Sequence, residues 1–232
     1  MTGFQRQVNT QQAPAVEGDF ASSNPRASVL AGEGALVTGS NGVTVGNFAW
    51  ALNGIANNVF AVGAQIGFVH RELQALITAW LGQSTLLVPA GLPITLHDAG
   101  DFWDKFAAGA TVGQKVYAYY DDGTAYAAAT ATPPTNALIT ANTATNTTLT
   151  VTANTGRPIA VGQPVSGAGI AAGTYISALG TGTGGAGTYT LSQATTATAT
   201  GVTVTATTAV ETAYTVRSTA AAGEIAKIST WG

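Results

Sequence analysis

Cysteine is absent from the 232-residue chain, which excludes a disulfide scaffold and every thiolate metal site. Charge is scarce: only 8% of residues are charged, against about a quarter in an ordinary soluble domain. Eight Lys+Arg against eleven Asp+Glu give a net charge of −3. That balance offers no phosphate-neutralising surface, so no nucleic-acid partner is expected. Two His leave little material for a catalytic metal centre. No stretch approaches the roughly 18 uninterrupted apolar residues of a membrane span, so no membrane partner is expected. The opening MTGFQRQVNTQQAPAVEGDF lacks the apolar core of a secretory signal, and no leader is expected. Hydrophobic residues reach 46%, too many for ordinary disorder, which combines low hydrophobicity with high net charge.

What is abundant is Gly, Ala and Thr, and the few charges divide the chain. Residues 1–134 hold nine acids and five bases, residues 211–232 hold two of each, and residues 135–210 hold Arg157 alone. Pro133-Pro134 marks the left edge of this low-charge segment. Within it, Thr148 to Ala153 and Gly201 to Ala206 alternate polar and apolar residues with period two, the mark of half-buried strands with Thr facing water. They read as the first and last strands of one module. Short strands near Val165, Ile176 and Tyr189, separated by Gly-rich turns, suggest a small sandwich. Leu149, Val151, Val202 and Val204 are expected to face its core.

Residues 1–26 are rich in Gln, Asn, Ser and Pro, with isolated Phe4, Val8, Val16 and Phe20. They read as an extended arm that docks through those four residues onto a neighbouring chain. Asn41-Gly42 lies between apolar runs and predicts a hairpin of Leu36–Thr38 with Val43–Val45. Residues 52–65 read as a loop, and 69–80 as strand in preference to helix, because the neighbours are all β. Strands are expected around Phe102–Phe106, Gln114–Tyr120, Ala125–Ala127, Ala213–Arg217 and Glu224–Ile228. The low-charge module is then an insertion whose ends meet, with the strands of Tyr126 and Tyr214 as antiparallel neighbours.

No constellation carries clear chemistry. Gly180 to Gly185 matches GxGxxG as a string, but a strand follows it where a phosphate-binding loop needs a helix, so a glycine hairpin loop is expected. His97, Asp98, Asp101 and Asp104 lack the oxygen spacing of a calcium loop and read as solvated turn acids. His70, Arg71 and Glu72 beside Asp98 offer acid/base groups without a nucleophile or oxyanion donors. Trp50, Trp80, Trp103 and Trp231 read as core or interface anchors. No catalytic residue, metal or cofactor is expected.

Particular strings go further. MTGFQRQ (1–7), PAVEGDF (14–20), GNFAW (46–50), GFVHR (67–71), PAGLP (89–93), GDFW (100–103) and AGEIAKISTW (222–231) together resemble the structural cement proteins of tailed bacteriophages. TGGAGTYTLS (183–192) resembles a small β module common in phage structural proteins. The resemblance implies a non-enzymatic decoration protein, made in the bacterial cytoplasm, that binds the outer capsid surface across neighbouring major capsid proteins. Self-association as a trimer, or else a dimer, is expected at local symmetry axes. The alternative is a carbohydrate-binding or adhesive virion protein acting through the module, with Tyr175 and Tyr189 as its aromatic candidates. The expected fold is all-β. It comprises an arm (1–26), a barrel or tulip-like outer domain (27–134 with 209–232) and an inserted Ig-like β-sandwich (135–208).

Overall fold

A computed structural model describes residues 15–72 and 86–231, and no helix occurs among them. The chain is all-β. Its first part contains β1 (Ala27–Ser28), β2 (Val37–Thr38), β3 (Val43–Thr44), β4 (Phe48–Leu52), β5 (Ile55–Asn57), β6 (Gln65–Val69), β7 (Leu87–Val88) and β8 (Leu96–Ala99). Six of these form a sheet in the order β1-β8-β6-β4-β5-β2, while β3 and β7 pair separately. A second sheet has the order β11-β10-β18-β19-β9, built from β9 (Asp101–Phe106), β10 (Lys115–Tyr119), β11 (Ala125–Ala128), β18 (Ala209–Val216) and β19 (Glu224–Ser229). The strand expectation at 69–80 falls largely on residues 73–85, outside the described residues.

The two sheets face each other across an aromatic core. Phe48, Trp50 and Phe68 from the first meet Phe102, Phe106, Tyr214 and Ile228 from the second. The other face of the first sheet is covered too, with Val43 and Val88 of the β3/β7 pair in a cluster with Ala49, Val69 and Leu96. Burial on both faces explains why β4 reads Phe48-Ala49-Trp50 without alternation.

The expected Asn41-Gly42 hairpin does not form. A turn closes there, with Gly42 N–H donating to Gly39 O at 2.9 Å. Beyond it β2 pairs in parallel with β5, and β3 pairs with β7. The hairpin lies instead within the expected loop: β4 and β5 pair through Leu52 opposite Ile55, leaving Asn53-Gly54 as a two-residue connection. Both residues have positive φ, 51° and 78°, the type I′ geometry that matches strand twist. A Cβ on Gly54 would meet no atom within 4 Å, so its constraint is purely conformational. Gly54→Ala should therefore cost about 1 kcal/mol in chemical denaturation; an unchanged midpoint would refute the turn geometry.

Residues 135–207 form one further sheet, ordered β14-β17-β12-β13-β16-β15. Its strands are β12 (Thr135–Ala144), β13 (Thr148–Thr155), β14 (Val165–Gly167), β15 (Ile176–Leu179), β16 (Gly187–Leu191) and β17 (Thr198–Thr207). The first strand is β12, which the sequence reading passed over, and β13 and β17 flank it. Leu149, Val151 and Val204 are buried in a core with Ile139 and Tyr189, and Val202 packs partly against it. Two facing sheets were expected here. The hydrogen bonds instead run round a ring, because the two edges meet: Val165 N–H donates to Thr174 O at 2.9 Å and Ile176 N–H to Gln163 O at 3.0 Å. Pro164 and Tyr175 bridge at the same seam. The ends of the segment are adjacent, Thr135 paired with Thr207, and Thr208 N–H donating to Pro134 O at 2.9 Å. The strands of Tyr126 and Tyr214 are not neighbours, since β10 pairs with β11 on one side and β18 on the other.

Candidate functional site

The N-terminal segment enters along the free edge of β9. Gly18 N–H donates to Trp103 O at 2.8 Å, Trp103 N–H to Asp19 O at 2.9 Å, and Ala21 N–H to Asp101 O at 2.9 Å. Arg71 N–H donates to Gly18 O at 2.8 Å, so the same residues also touch the chain beyond β6 and stitch the two sheets together. Phe20 is half-buried at this seam. It stacks on His70 at 4.2 Å between ring centroids and lies 5.4 Å from Phe102, and the Arg26 guanidinium sits 3.9 Å from its centroid. Of the four expected contact residues, Phe20 thus packs within its own chain, and Val16 is 43% exposed. Phe4 and Val8 lie outside the described residues.

Beneath Phe20, His70 and His97 meet edge to face, 5.3 Å apart. Burial lowers both imidazole pKa values, and for His97 the nearby His70 lowers it further. His97 Nδ1 lies 3.5 Å from Ser28 Oγ, and its buried Nε2 has no hydrogen bond. Asp98 is exposed. Glu72 Oε1 lies 3.6 Å from His70 Nδ1, and the two imidazoles pack against Phe20.

The acids expected in solvated turns part company. Asp101 accepts from Ser22 Oγ at 2.5 Å and Asn24 Nδ2 at 2.6 Å. Burial pushes its carboxyl up, but hydrogen bonds from Ser22, Ser229 and Asn24 outweigh that and hold it below the usual range. Asp104 is only 1% exposed, on the same face of β9 as Phe102 and Phe106, and its Oδ2 has no hydrogen bond. Burial, reinforced by Glu17, raises its carboxyl well above the ordinary value. Its solvation was the wrong expectation. The alternation in Phe102-x-Asp104-x-Phe106 carries the signal, because period two puts all three on one face. Among the described residues, no three His, Asp or Glu side chains are grouped to hold a metal ion.

Arg157, the lone charge of its segment, reaches out of the ring. It follows β13 and grips the turn between β10 and β11. Nη2 lies 2.8 Å from both carboxylate oxygens of Asp121 and 2.6 Å from Asp122 Oδ2, and Nε lies 3.0 Å from Asp121 Oδ1. The guanidinium also stacks 3.7 Å from the Tyr119 ring centroid. Burial would lower the Arg157 pKa, but the hydrogen bonds it donates to Asp122 and Asp121 raise it; burial raises Asp121 despite the pull of Arg157. Beside this clamp, Gly162 lies against the Phe60 ring so closely that a Cβ would come within 2.2 Å of a ring carbon. Charge counting singled out Arg157; nothing local in Asp121-Asp122 announced its partner.

Trp50 is in the core, Trp103 is half-buried, Trp231 is 45% exposed, and Trp80 lies outside the described residues. Gly180 to Gly185 connects β15 to β16 as a hairpin loop, with Thr181 and Thr188 hydrogen-bonded across it.

A family model described as XM1 gp53 minor capsid protein matches residues 4–154, more than half of the chain. The chain belongs to this family. No curated protein matches it. Membership makes it a structural component of a phage virion, associated with the capsid. The match includes the β9-edge segment with Phe20, and it continues past Pro133-Pro134 through β12 into β13.

Proposed function

We propose that this minor capsid family member is a decoration protein, binding the outer capsid surface and cementing contacts between neighbouring major capsid proteins. The observation that carries this reading is the fixed root of the arm. Residues 18–21 are paired along β9 and Phe20 is wedged between Phe102 and the His pair, so the segment that follows Phe4 and Val8 in sequence is anchored on the rim of the two sheets. A cement protein acts through buried area, about 800 Å² per partner in a standard contact. It needs no reactive group, and the polar clusters here are occupied by packing and clamping. A trimer at a local symmetry axis is the preferred arrangement, with a dimer second. The ring from β12 to β17 is the projecting inserted module. The rival reading, glycan binding through that ring, requires Tyr175 and Tyr189 as an exposed platform, yet Tyr189 is 1% exposed in its core.

The test is deletion of residues 2–14, which spares the β9-paired root. Decoration of particles lacking the native protein should fall below detection, while circular dichroism and melting stay unchanged. Full occupancy by the truncated chain would show that the arm is not the anchor.

A further inference from the structure

The cations of this acidic chain are not scattered. All three lysines, Lys105, Lys115 and Lys227, and also Arg217, lie on or at the end of strands of the five-stranded sheet. They belong to its outward face: Phe102, Asp104, Phe106, Val116, Tyr214, Val216, Ala226 and Ile228 are buried on the inner face, and the alternate positions point away. Register makes them neighbours. Trp103 pairs with Lys227, Lys105 with Ile225 and Lys115 with Thr215, while Arg217 N–H donates to Lys227 O at 2.7 Å.

None of the four makes a salt bridge among the described residues, whereas Arg71 and Arg157 do. Glu17 attracts Lys105 and Asp101 attracts Arg217 without forming a salt bridge, and the acids on the sheet have hydrogen-bond partners of their own. Asp101 is held by Ser22 and Asn24, Glu211 accepts from Tyr117 Oη at 2.9 Å, and Glu224 accepts from Ala221 N–H at 3.1 Å. Arg217 and Lys227 line a groove of about 400 Å³ together with Trp231, Ser22, Asn24 and the hydrogen-bonded Asp101. The groove therefore runs directly into the segment that leads to the arm.

We propose that this face, centred on Lys227, Arg217 and Trp103 and flanked by Lys105 and Lys115, is a docking surface for an acidic protein surface of the capsid shell. The inference rests on the decoration reading above and says which side of the molecule meets the shell. Four cations without a salt bridge among the described residues, with Lys227 over the Trp103 ring at 5.1 Å and Arg217 donating to Trp231 O at 2.5 Å, suit a contact with carboxylates. Duplex DNA fits less well, because the three acids interspersed on the sheet and the net charge of −3 oppose a phosphate lattice.

The experiment adds the full chain to shells assembled from the major capsid protein alone. The unaltered chain should bind, and more weakly as salt rises from low to high ionic strength. K105E/K227E should bind about tenfold or more weakly, K227Q should fall between the two, and T190E, a new charge on the distant ring, should bind like the unaltered chain. Melting curves establish that each variant is folded. Equal binding by K105E/K227E and the unaltered chain overturns the docking face and leaves the decoration reading standing. Failure of the unaltered chain to bind sinks the decoration reading, and the face with it. Retardation of duplex DNA that K105E/K227E abolishes, or self-association that it abolishes, assigns the face to another occupant and overturns the proposal.

Discussion

Asp104→Asn should make the protein more stable at neutral pH, by about 1–3 kcal/mol, the scale set by a buried charged group without full hydrogen bonding. The side chain is 1% exposed and its Oδ2 is unpartnered. Burial and the nearby Glu17 hold the carboxyl well above the ordinary 3.8, and burial raises Glu17 as well, against the pull of Lys105. The sign follows from linkage. A carboxyl raised in the folded state binds a proton more readily folded than unfolded, so it lowers stability fully above its folded pKa. That cost is recovered as pH falls through the folded value towards 3.8. The native chain should therefore gain stability on mild acidification, opposite to the usual behaviour of paired carboxylates. Asp104→Asn should flatten that rise and converge with the native chain near the unfolded pKa. Urea midpoints between pH 8 and pH 4 measure both effects. A variant less stable at pH 7 would show that the ionised carboxylate is instead satisfied and stabilising.

Arg157→Ala should have a comparable effect of opposite sign, a loss of about 2 kcal/mol. The side chains of Arg157, Asp121 and Asp122 are 30%, 13% and 45% exposed, so solvent screens part of the pair and the figure sits below the 3–5 kcal/mol of a fully buried ion pair. Removal leaves Asp121, half-buried and already raised by burial, next to Asp122 with no guanidinium between them. The ring of β12 to β17 would keep the Pro134 and Thr208 connections and the Gly162–Phe60 contact, but lose its charged brace. Amide relaxation should show the ring reorienting independently, and proteases should cut more readily between β11 and β12. Arg157→Lys should restore little, because one ammonium cannot make the forked contacts and stack on Tyr119. Unchanged relaxation and denaturation would mean that the Gly162 contact and the two strand connections suffice.

Much of the architecture is readable in the residues. Period-two alternation locates β13 and β17, strands are expected at β9 and β19 as well, and the charge minimum coincides with the strands of the third sheet. The errors have physical causes. Two Asn-Gly pairs compete for a hairpin, and the decision rests on which flanking strands find each other: Val37 and Val43 are claimed by β5 and β7, leaving Asn53-Gly54 to join a true pair. β12 was missed because Thr135–Ala144 is dominated by small and polar residues and becomes a strand only between β13 and β17. In the candidate site, the alternation around Asp104 was legible and the contact between Arg157 and Asp121 was not, since 36 residues separate partners that only the tertiary fold brings together.

The seam at Pro164 and Tyr175 bears on crowding. A decoration protein, the role proposed above, would hold its copies on the lattice at a local concentration far above that of any solution. An open strand edge on the exposed ring would then be a standing invitation to pair with the next copy and zip one particle to another. Because β14 and β15 meet through hydrogen bonds from Val165 and Ile176, the ring offers its neighbours no unsatisfied ladder along that seam. Its surface is left to Thr side chains, which hydrate well and carry no charge to attract a partner. On this view the closure of the ring keeps particles dispersed, and opening it, for example by placing proline at residue 176, should show itself first as particle clumping.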